Sequence, residues 1–283
     1  MIQVNYSALK YLKKENIFNF TSNKEGLNVA VLAGVHGDEK SGIIAIKNIV
    51  KNFKINSGNV IFIICNQKAI DENKRYIDEN LNRCFLKDKI KTNSYEENIA
   101  NDLKEIISQC DICLDLHNST SVESEPFIIC ERNATKYLDS INCKKVCYGF
   151  DINEPGGTDY YMNMNNKIGI CVECGYLGDE NLDFVRNVIS NFLSKTKNLE
   201  VTKYLIYNNK EFFELEEAYT SDEECEIYLN FKDFEYIEKN MLIGNKLHSK
   251  EDIIIDENSY LLFTNKKVTT AGDEVYLKLK KLE

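Results

Sequence analysis

The 283-residue sequence predicts an α/β fold, with a mixed, largely parallel sheet flanked by helices and followed by a small all-β domain. The first observation is a strand–helix–strand unit, in which apolar strands at 29–35 and 60–65 enclose a helix over 39–53. The second is a change of character late in the chain, where short β-like runs alternate with acidic turns and no helical pattern is convincing. We therefore expect two domains, at 1–198 and 199–283.

Hydrophobic periodicity and turn residues define the remaining elements. Residues 1–28 are mixed and polar, and they predict a short strand or helix that leads into the sheet. Residues 66–93 are polar and predict a long irregular loop, after which a capping box at 94–97 begins a helix that runs to residue 107. The other predicted elements are strands at 111–117, 126–130, 145–150 and 168–174, a helix at 181–194, and C-terminal strands at 201–207, 225–231, 252–256, 259–264 and 274–280.

The composition argues against two classes of partner. The formal net charge is −10 and the isoelectric point is near 5.1, so we expect no basic surface for nucleic acid or anionic lipid. No apolar run approaches the roughly 18 residues of a membrane span, and the first residues lack the pattern of a signal peptide. Ten cysteines, many of them inside apolar runs, are typical of a reduced protein, and we expect a cytoplasmic location.

Two of the three histidines end predicted strands next to carboxylates. His36 and Glu39 follow the first apolar strand, and His117 ends a later one. Parallel strands present ligand-binding groups at their carboxyl ends, so these three side chains are expected at one rim of the sheet. Two imidazoles and a carboxylate can supply three ligands to a catalytic zinc ion and leave a fourth position for water. His248 lies in a lysine-rich turn, and we expect it to be an ordinary surface residue.

Three further side chains are candidates for chemistry at that rim. Glu173 lies in an apolar strand, where an unpaired ionised carboxylate is costly and burial raises its pKa toward the range of a general base. Arg75 and Arg83 lie on the long polar loop of a chain that uses lysine for most of its positive charge. A planar guanidinium suits carboxylates and developing oxyanions, and the alternative is that both arginines are solvated surface residues.

A cysteine-based metal site is the competing hypothesis. Cys110 and Cys113, and likewise Cys171 and Cys174, have the spacing of structural zinc motifs. Residues three apart on a strand point to opposite faces, and no glycine turn separates the second pair. We therefore favour the histidine–carboxylate set over the cysteine pairs.

Six short motifs follow one another over about residues 28–190. They are Gly34-x-His36-Gly-Asp-Glu39, Arg75-Tyr-Ile-Asp, Asn82-Arg83-x-Phe85, Asp115-Leu-His117-Asn118, Glu154-Pro-Gly and Glu173-x-Gly175. Together they resemble the succinylglutamate desuccinylase/aspartoacylase family, zinc-dependent hydrolases of N-acyl amino acids that are related to zinc carboxypeptidases. The resemblance implies a zinc carboxypeptidase-like α/β domain, one zinc ion per chain, and a smaller β domain that narrows the entrance of the site.

The resemblance also implies a role for each matched residue. The implied set is His36, Glu39 and His117 as zinc ligands, Glu173 as general base, Arg75 as the carbonyl-polarising group, and Asn82, Arg83 and Asn118 as substrate-binding residues. The chain departs from aspartoacylases where those enzymes place a further arginine about ten residues before the base, and Lys167 is the candidate to replace it. The aspartoacylase tyrosine motif near the C-terminus is also missing, and residues 264–270 stand near that point.

The leading hypothesis is a zinc-dependent hydrolase of the amide bond of a small N-acyl amino acid or a similar carboxylated amide. In this hypothesis zinc activates a water molecule and Glu173 accepts its proton. The alternatives are a metallocarboxypeptidase that acts on peptides and a catalytically silent protein that binds a metal or ligand. The expected partner is a small-molecule substrate, and a homodimer is compatible with the sequence.

Overall fold

The computed structural model describes residues 1–179, 181–200 and 206–283. Within these residues an eleven-stranded mixed sheet forms the body of the fold, and a second sheet has four strands. The order of the large sheet is β1 (Ile17–Thr21), β3 (Asn59–Ile64), β2 (Asn28–Ala33), β4 (Ile112–Ser119), β7 (Ile168–Tyr176), β5 (Phe127–Cys130), β6 (Lys145–Tyr148), β8 (Glu211–Thr220), β15 (Glu274–Lys281), β13 (Ser259–Leu262) and β10 (Glu235–Ile237). The small sheet consists of β12 (Asp252–Ile254), β11 (Leu242–Lys246), β9 (Cys225–Ile227) and β14 (Lys267–Val268).

Helices cover both faces of the large sheet, which confirms the mixed α/β architecture. The described α-helices are α1 (Lys40–Ile49), α2 (Gln67–Glu72), α3 (Tyr95–Ile107), α4 (Phe150–Asn153), α5 (Thr158–Met164) and α6 (Leu182–Lys195). The apolar sides of α1 and α6 pack on one face of the sheet, and those of α3 and α5 pack on the other. In the part of the chain that the structure describes, no helix is both long and apolar enough to cross a bilayer.

The parallel strands β3, β2, β4 and β7 place the site at their carboxyl ends. Both faces of these strands are covered, so their side chains are apolar on both sides, as expected for a buried parallel sheet. The register pairs His117 of β4 with Glu173 of β7. Because side chains alternate along a strand, Asp115 and His117 point to the same face as the cluster of buried residues that contains α3.

The described part of the C-terminal region contains only β-strands, and several of them belong to the large sheet. β8 pairs in parallel with β6, so the large sheet continues through β8, β15, β13 and β10 into residues that we assigned to a second domain. The expected boundary between 1–198 and 199–283 therefore does not separate two sheets. Only the small sheet is built entirely from the C-terminal region.

Several predicted elements differ from the structure in their bounds, and some elements of the structure were not predicted. The first helix ends at Ile49, earlier than the expected residue 53, and the predicted loop at 66–93 contains α2 and a 3-10 turn. The capping serine is confirmed, because Ser94 Oγ accepts the backbone N–H of Glu97 at 2.9 Å. The strands β8, β10, β11 and β14, and helix α5, were not expected. The predicted strand at 201–207 lies largely outside the described residues.

The cysteine side chains lie in the interior of the protein. All ten are unpaired and buried. Cys171 and Cys174 belong to apolar clusters on opposite faces of the sheet, as expected for residues three apart on a strand. Among the described residues, one group of three or more histidine, cysteine or acidic side chains could hold a metal ion, and it contains no cysteine.

Candidate functional site

The turn after β2 delivers two of the three ligand candidates. Gly34 adopts φ +69°, a left-handed conformation that strains residues with a side chain, and it ends the strand. Gly37 lies so close to the start of α2 that a Cβ atom would fall 2.2 Å from the backbone carbon of Ala69. His36 and Glu39 flank this contact, so the two glycines fix the backbone that carries both side chains.

His36, Glu39 and His117 form one buried group. Glu39 Oε1 lies 2.7 Å from His36 Nδ1, and Glu39 Oε2 lies 2.9 Å from His117 Nδ1. The exposed fraction of each residue is 3% or less. Suitable ligand atoms of the three residues all lie within 4.8 Å of one another, so the group can hold a metal ion.

Glu39 also receives two further hydrogen-bond donors. Arg75 Nη1 lies 3.3 Å from Oε1, and the backbone N–H of Asn118 donates to Oε2 at 3.2 Å. Burial disfavours the charged form of Glu39, but the neighbouring imidazoles outweigh it and hold the pKa of this carboxyl well below its usual value. Glu39 is therefore an ionised ligand candidate.

The outer nitrogens of the two rings also face oxygen atoms. His36 Nε2 lies 2.9 Å from Asn80 Oδ1, and His117 Nε2 lies 3.2 Å from Asp115 Oδ2. Burial lowers the pKa of His36. For His117 burial also opposes ionisation, but the Asp115 and Glu39 carboxylates outweigh it and raise the pKa well above its usual value. The two outer oxygens are the orienting partners that metal-binding histidines usually have.

This arrangement fits a cation between the inner nitrogens and Glu39. A neutral imidazole has one N–H, so it cannot donate to an oxygen on each side. Asn80 Oδ1 accepts the backbone N–H of Asn82 at 3.0 Å, which identifies it as the amide oxygen. Nε2 of His36 therefore carries the proton, and Nδ1 directs a lone pair at a carboxylate. A metal ion satisfies both the lone pair and the carboxylate.

Glu173 lies next to this group on the neighbouring strand and has an oxygen without a partner. It is 7% exposed, and among the described atoms its buried Oε2 has no hydrogen-bond partner. Burial, reinforced by the Glu39 charge, raises the pKa of Glu173 to about 8, although His117 opposes the shift. A buried carboxylate in this state is suited to exchange protons with a bound molecule.

The loop that carries Arg75, Asn82 and Arg83 is organised around a buried carboxylate, Glu96. The Glu96 side chain has no exposed surface and lies in the first turn of α3. Its oxygens accept the backbone N–H groups of residues 77, 78 and 79 at 2.7, 3.0 and 3.3 Å, and the side-chain amide of Asn66 at 3.0 Å. Four hydrogen bonds to one buried anion hold this loop beside the histidines.

Arg83 and Asn82 reach the site from the end of that loop. Arg83 forms an ion pair with Glu154 and donates to the backbone oxygen of Asn82 at 3.1 Å. Asn82 Nδ2 lies 3.4 Å from His117 Nε2, and the buried Oδ1 of Asn82 has no partner among the described atoms. The turn at 154–157 packs against this pair, since the carbonyl of Gly156 accepts the backbone N–H of Phe85 at 3.1 Å.

These residues line one cavity of about 240 Å³. The C-terminal region closes part of it, because Phe263, Asn265, Glu274 and Leu277 are among the lining residues. Asp233 connects that region to the loop after β4. Its carboxylate accepts the hydroxyls of three serines, Ser119, Ser121 and Ser124, at 2.5 to 2.8 Å.

The cavity brings together most of the predicted site residues, but it does not include Lys167. The residues that share the cavity are His36, Glu39, Arg75, Asn82, Arg83, His117, Asn118 and Glu173. Lys167 is not among them: its Nζ donates to the backbone oxygens of Ser108 and Cys110. It precedes β7, so six residues at about 3.3 Å each put it roughly 20 Å from Glu173 at the other end of the strand.

Asn118 lines the cavity, but its side-chain amide is already engaged. Its Oδ1 accepts the Ser41 hydroxyl at 2.6 Å, and its Nδ2 lies 3.3 Å from the carbonyl oxygen of Gly175. The backbone N–H of Asn118 holds Glu39, and a role of its side chain in binding a substrate stays a prediction.

Sequence reasoning missed Asn80, Asp115 and Glu96 as parts of the site. Asp115 belongs to the motif of His117, and Asn80 lies just before the motif that begins at Asn82, so their proximity was a usable signal. Glu96 had no such signal, because an acidic residue in the first turn of a helix is common for reasons of helix electrostatics alone.

The fold and this group of residues define a class: a mixed α/β protein with a His–Glu–His group that could hold a metal ion at the ends of parallel strands. Within that class, the sequence model of the succinylglutamate desuccinylase/aspartoacylase catalytic domain matches residues 25–201. The chain belongs to this family, and the family prediction is confirmed. The matched segment contains every site residue named above except those of the C-terminal region.

Two relatives illustrate the sequence similarity. A probable aspartoacylase from a Nostoc species is 30% identical over an alignment of 167 residues, and the match covers 52% of this chain and 54% of that protein. The N-acyl-aromatic-L-amino acid amidohydrolase (carboxylate-forming) B of Danio rerio is 34% identical over an alignment of 169 residues. This match also covers 52% of this chain and 54% of that protein. The chain thus spans about half the length of the curated relatives that it matches.

Solved structures share the fold over most of the chain. A succinylglutamate desuccinylase from Vibrio cholerae superposes with a TM-score of 0.77 and 18% identity, covering 94% of this chain and 85% of that one. A succinylglutamate desuccinylase/aspartoacylase from Rhodobacter sphaeroides gives 0.71 and 17%, with coverages of 92% and 87%. At these identities the similarity is one of fold.

Glu96→Gln is expected to loosen the loop at 75–83 without changing any side chain of the cavity. The amide keeps one acceptor oxygen, but its NH₂ group faces backbone N–H donors, which should cost about 1–3 kcal/mol of unfolding free energy. Denaturant unfolding measures the loss, and hydrogen exchange should be faster at Ile77, Asp78 and Glu79. Glu105→Gln, on the exposed side of the same helix, is the control. Unchanged exchange at these amides would contradict the assignment.

Proposed function

We propose that the protein is a zinc-dependent hydrolase that cleaves the amide bond of a small N-acyl amino acid or of a similar carboxylated amide. The observation that carries the proposal is the position of Glu173, whose unpartnered buried oxygen shares one cavity with the His36–Glu39–His117 group. Relatives named aspartoacylases and N-acyl-aromatic-L-amino acid amidohydrolases support this reaction class. A cavity of about 240 Å³ suits a small molecule. We also retain the proposals of a zinc carboxypeptidase-like fold and a cytoplasmic location.

Zinc is the metal that best matches the donor set. Two imidazole nitrogens and one carboxylate are a ligand combination of catalytic zinc sites, which leave a position for water or substrate. Asn80 and Asp115 would receive the outer N–H groups of the two rings and so hold the inner nitrogens toward the metal. Bound zinc would lower the pKa of a water molecule to about 7 and polarise the amide carbonyl.

In this proposal Glu173 moves the protons of the reaction. Its carboxylate takes a proton from the attacking water and delivers it to the nitrogen of the leaving amine. The water oxygen joins the acyl carbon as the C–N bond breaks, and the products are an amine and a carboxylic acid that releases its remaining proton to solvent as it ionises. The nearby dication would pull the pKa of Glu173 down from about 8 and leave it ionised near neutral pH, as a general base requires.

The arginines would stabilise and orient the substrate. Arg75 is partly exposed to the cavity, with Nη1 3.3 Å from Glu39, and it would donate to the carbonyl oxygen as negative charge develops there. A donor of this kind contributes about 3–4 kcal/mol in hydrolases. A guanidinium has five N–H donors, more than the contacts of Arg83 with Glu154 and Asn82 use, so Arg83 can also bind a substrate carboxylate. Asn82 would assist it by donating an N–H of its Nδ2 amide to the same carboxylate.

Glu173→Gln is expected to lower kcat by about 100-fold or more, because the amide cannot accept the water proton. Zinc content should remain near one ion per chain, since Glu173 is not a proposed ligand. The measurements are hydrolysis of a panel of N-acetyl amino acids and metal analysis of the same samples. Glu125→Gln, at an exposed position outside the cavity lining, is the control. Full turnover by the Glu173→Gln protein would refute the proposed base. If the unmodified protein cleaves peptides at the C-terminus but not the N-acetyl amino acids, a carboxypeptidase is favoured.

Zinc removal is expected to abolish hydrolysis and to lower the melting temperature, with both restored by added zinc. An ion that binds only the folded state at about 1,000 times its Kd stabilises it by about 4 kcal/mol. The His117→Ala protein should no longer respond to zinc in a thermal melt. His248→Ala removes an exposed histidine and should respond like the unmodified protein. Equal responses of the two variants would rule out the proposed ligand set.

A further inference from the structure

The cavity extends beyond the metal-binding group along the face of β7. Cys171 lies two residues before Glu173 on the same face of the strand, and it too lines the cavity. Further along, Gly169 packs so tightly under the start of α5 that a Cβ atom would fall 2.3 Å from the Cα of Asp159. The Asp159 carboxylate also lines the cavity and lies close to Gly157, since a Cβ atom on that glycine would fall 2.4 Å from Asp159 Oδ1.

The walls of this extension are apolar with an acidic end. The apolar lining residues are Ile129, Phe150, Phe263 and Leu277. The acidic ones are Asp151 and Asp159, from the starts of α4 and α5. An apolar passage that ends at carboxylates matches a short alkyl chain that carries a positive charge at its tip.

Both arginines of the cavity already have anionic partners. Arg75 faces Glu39, Arg83 pairs with Glu154, and the positive charges of both act on the nearby Glu274. The described lining contains six carboxylates against these two guanidinium groups, so even a divalent metal ion leaves the walls negative. If Arg83 binds the carboxylate of the substrate, the described lining has no other side-chain cation that could bind a second anionic group.

Asp151 and Asp159 form no ion pair among the described residues, although the charges of His117 and Arg83 act on Asp159. Among the described residues, no lysine, arginine or histidine nitrogen lies within 4.0 Å of either carboxylate. Asp151 accepts only the Asn163 amide at 3.3 Å, and Asp159 the backbone N–H of Tyr160. Burial, with repulsion from Asp159, raises the pKa of Asp151 to about 7, and burial raises that of Asp159 to about 6. Glu173, whose Oε2 is also unpartnered, lines the same cavity. The cavity therefore contains three carboxylates that no basic side chain of the described residues neutralises by an ion pair.

We propose that this extension binds a cationic group, so that the substrate is an N-acyl amino acid whose side chain ends in an amine, of the ornithine or lysine type. The methylene groups would pack against Phe150 and Leu277, and the ammonium would lie between Asp151 and Asp159. An acidic side chain of the same length would be repelled. This inference rests on the proposed function and differs from the acidic substrates that the names of several relatives contain.

Matched substrates test the inference. Nα-acetyl-L-ornithine, Nα-acetyl-L-norleucine and N-acetyl-L-glutamate have side chains of similar length that are cationic, neutral and anionic. We expect kcat/KM to be about tenfold or more higher for the ornithine compound than for the norleucine compound, and lowest for the glutamate compound. Asp151→Asn and Asp159→Asn should each reduce the ornithine-to-norleucine ratio. Asp252→Asn, at an exposed position on the small sheet, should leave that ratio unchanged.

A binding measurement separates failure of this inference from failure of the proposed function. The Glu173→Gln protein is titrated with L-ornithine and with L-norleucine in a calorimeter. Hydrolysis without preference for the cationic compound, or with preference for the anionic one, overturns the inference and leaves the function intact. Absence of hydrolysis together with tighter binding of ornithine supports the cationic subsite and overturns the function. Absence of both overturns both.

Discussion

The contact on which the rest of the site depends is the buried carboxylate of Glu39 between two imidazoles. An ionised carboxylate in this position costs several kcal/mol unless its partners offset the loss of water. His36 and His117 flank its two oxygens, while Arg75 and the backbone of Asn118 supply hydrogen bonds. Glu39 immediately precedes α1, but its side chain does not cap that helix, so both oxygens remain available to the cluster. Each ring already has an oxygen next to its outer nitrogen, so a metal ion could bind the inner nitrogens together with the Glu39 carboxylate.

Three further constraints position the groups around Glu39. The parallel register sets Glu173 beside His117, and the glycine turn after β2 sets His36. The buried Glu96 holds the loop that carries the arginines, and Asp233 ties the C-terminal strands to the loop after β4, so that this region completes the cavity. The site is therefore assembled from distant parts of the chain by a few buried anions and by the sheet.

The sequence revealed the ligand candidates because His36 and His117 each follow an apolar strand whose carboxyl end is visible in the pattern. Glu173 was visible for a different reason, as a charge inside an apolar run. Lys167 was a wrong prediction, because it precedes that strand and so lies at the opposite end of it. Glu96 was invisible, since its role depends on contacts with the backbone of another loop. The acidic strand β8 was missed too, because its charges mask the buried Phe213 and Leu215, and the continuity of the large sheet was missed with it.

The central claim, that two histidines and one glutamate bind a single zinc ion, is tested most directly by zinc X-ray absorption spectroscopy of the purified protein. The ligand set predicts nitrogen and oxygen neighbours at about 2.0–2.2 Å, with the outer-shell scattering of two imidazole rings and one zinc ion per chain. Sulfur neighbours near 2.3 Å, or zinc that does not bind in a defined ratio, would contradict the claim.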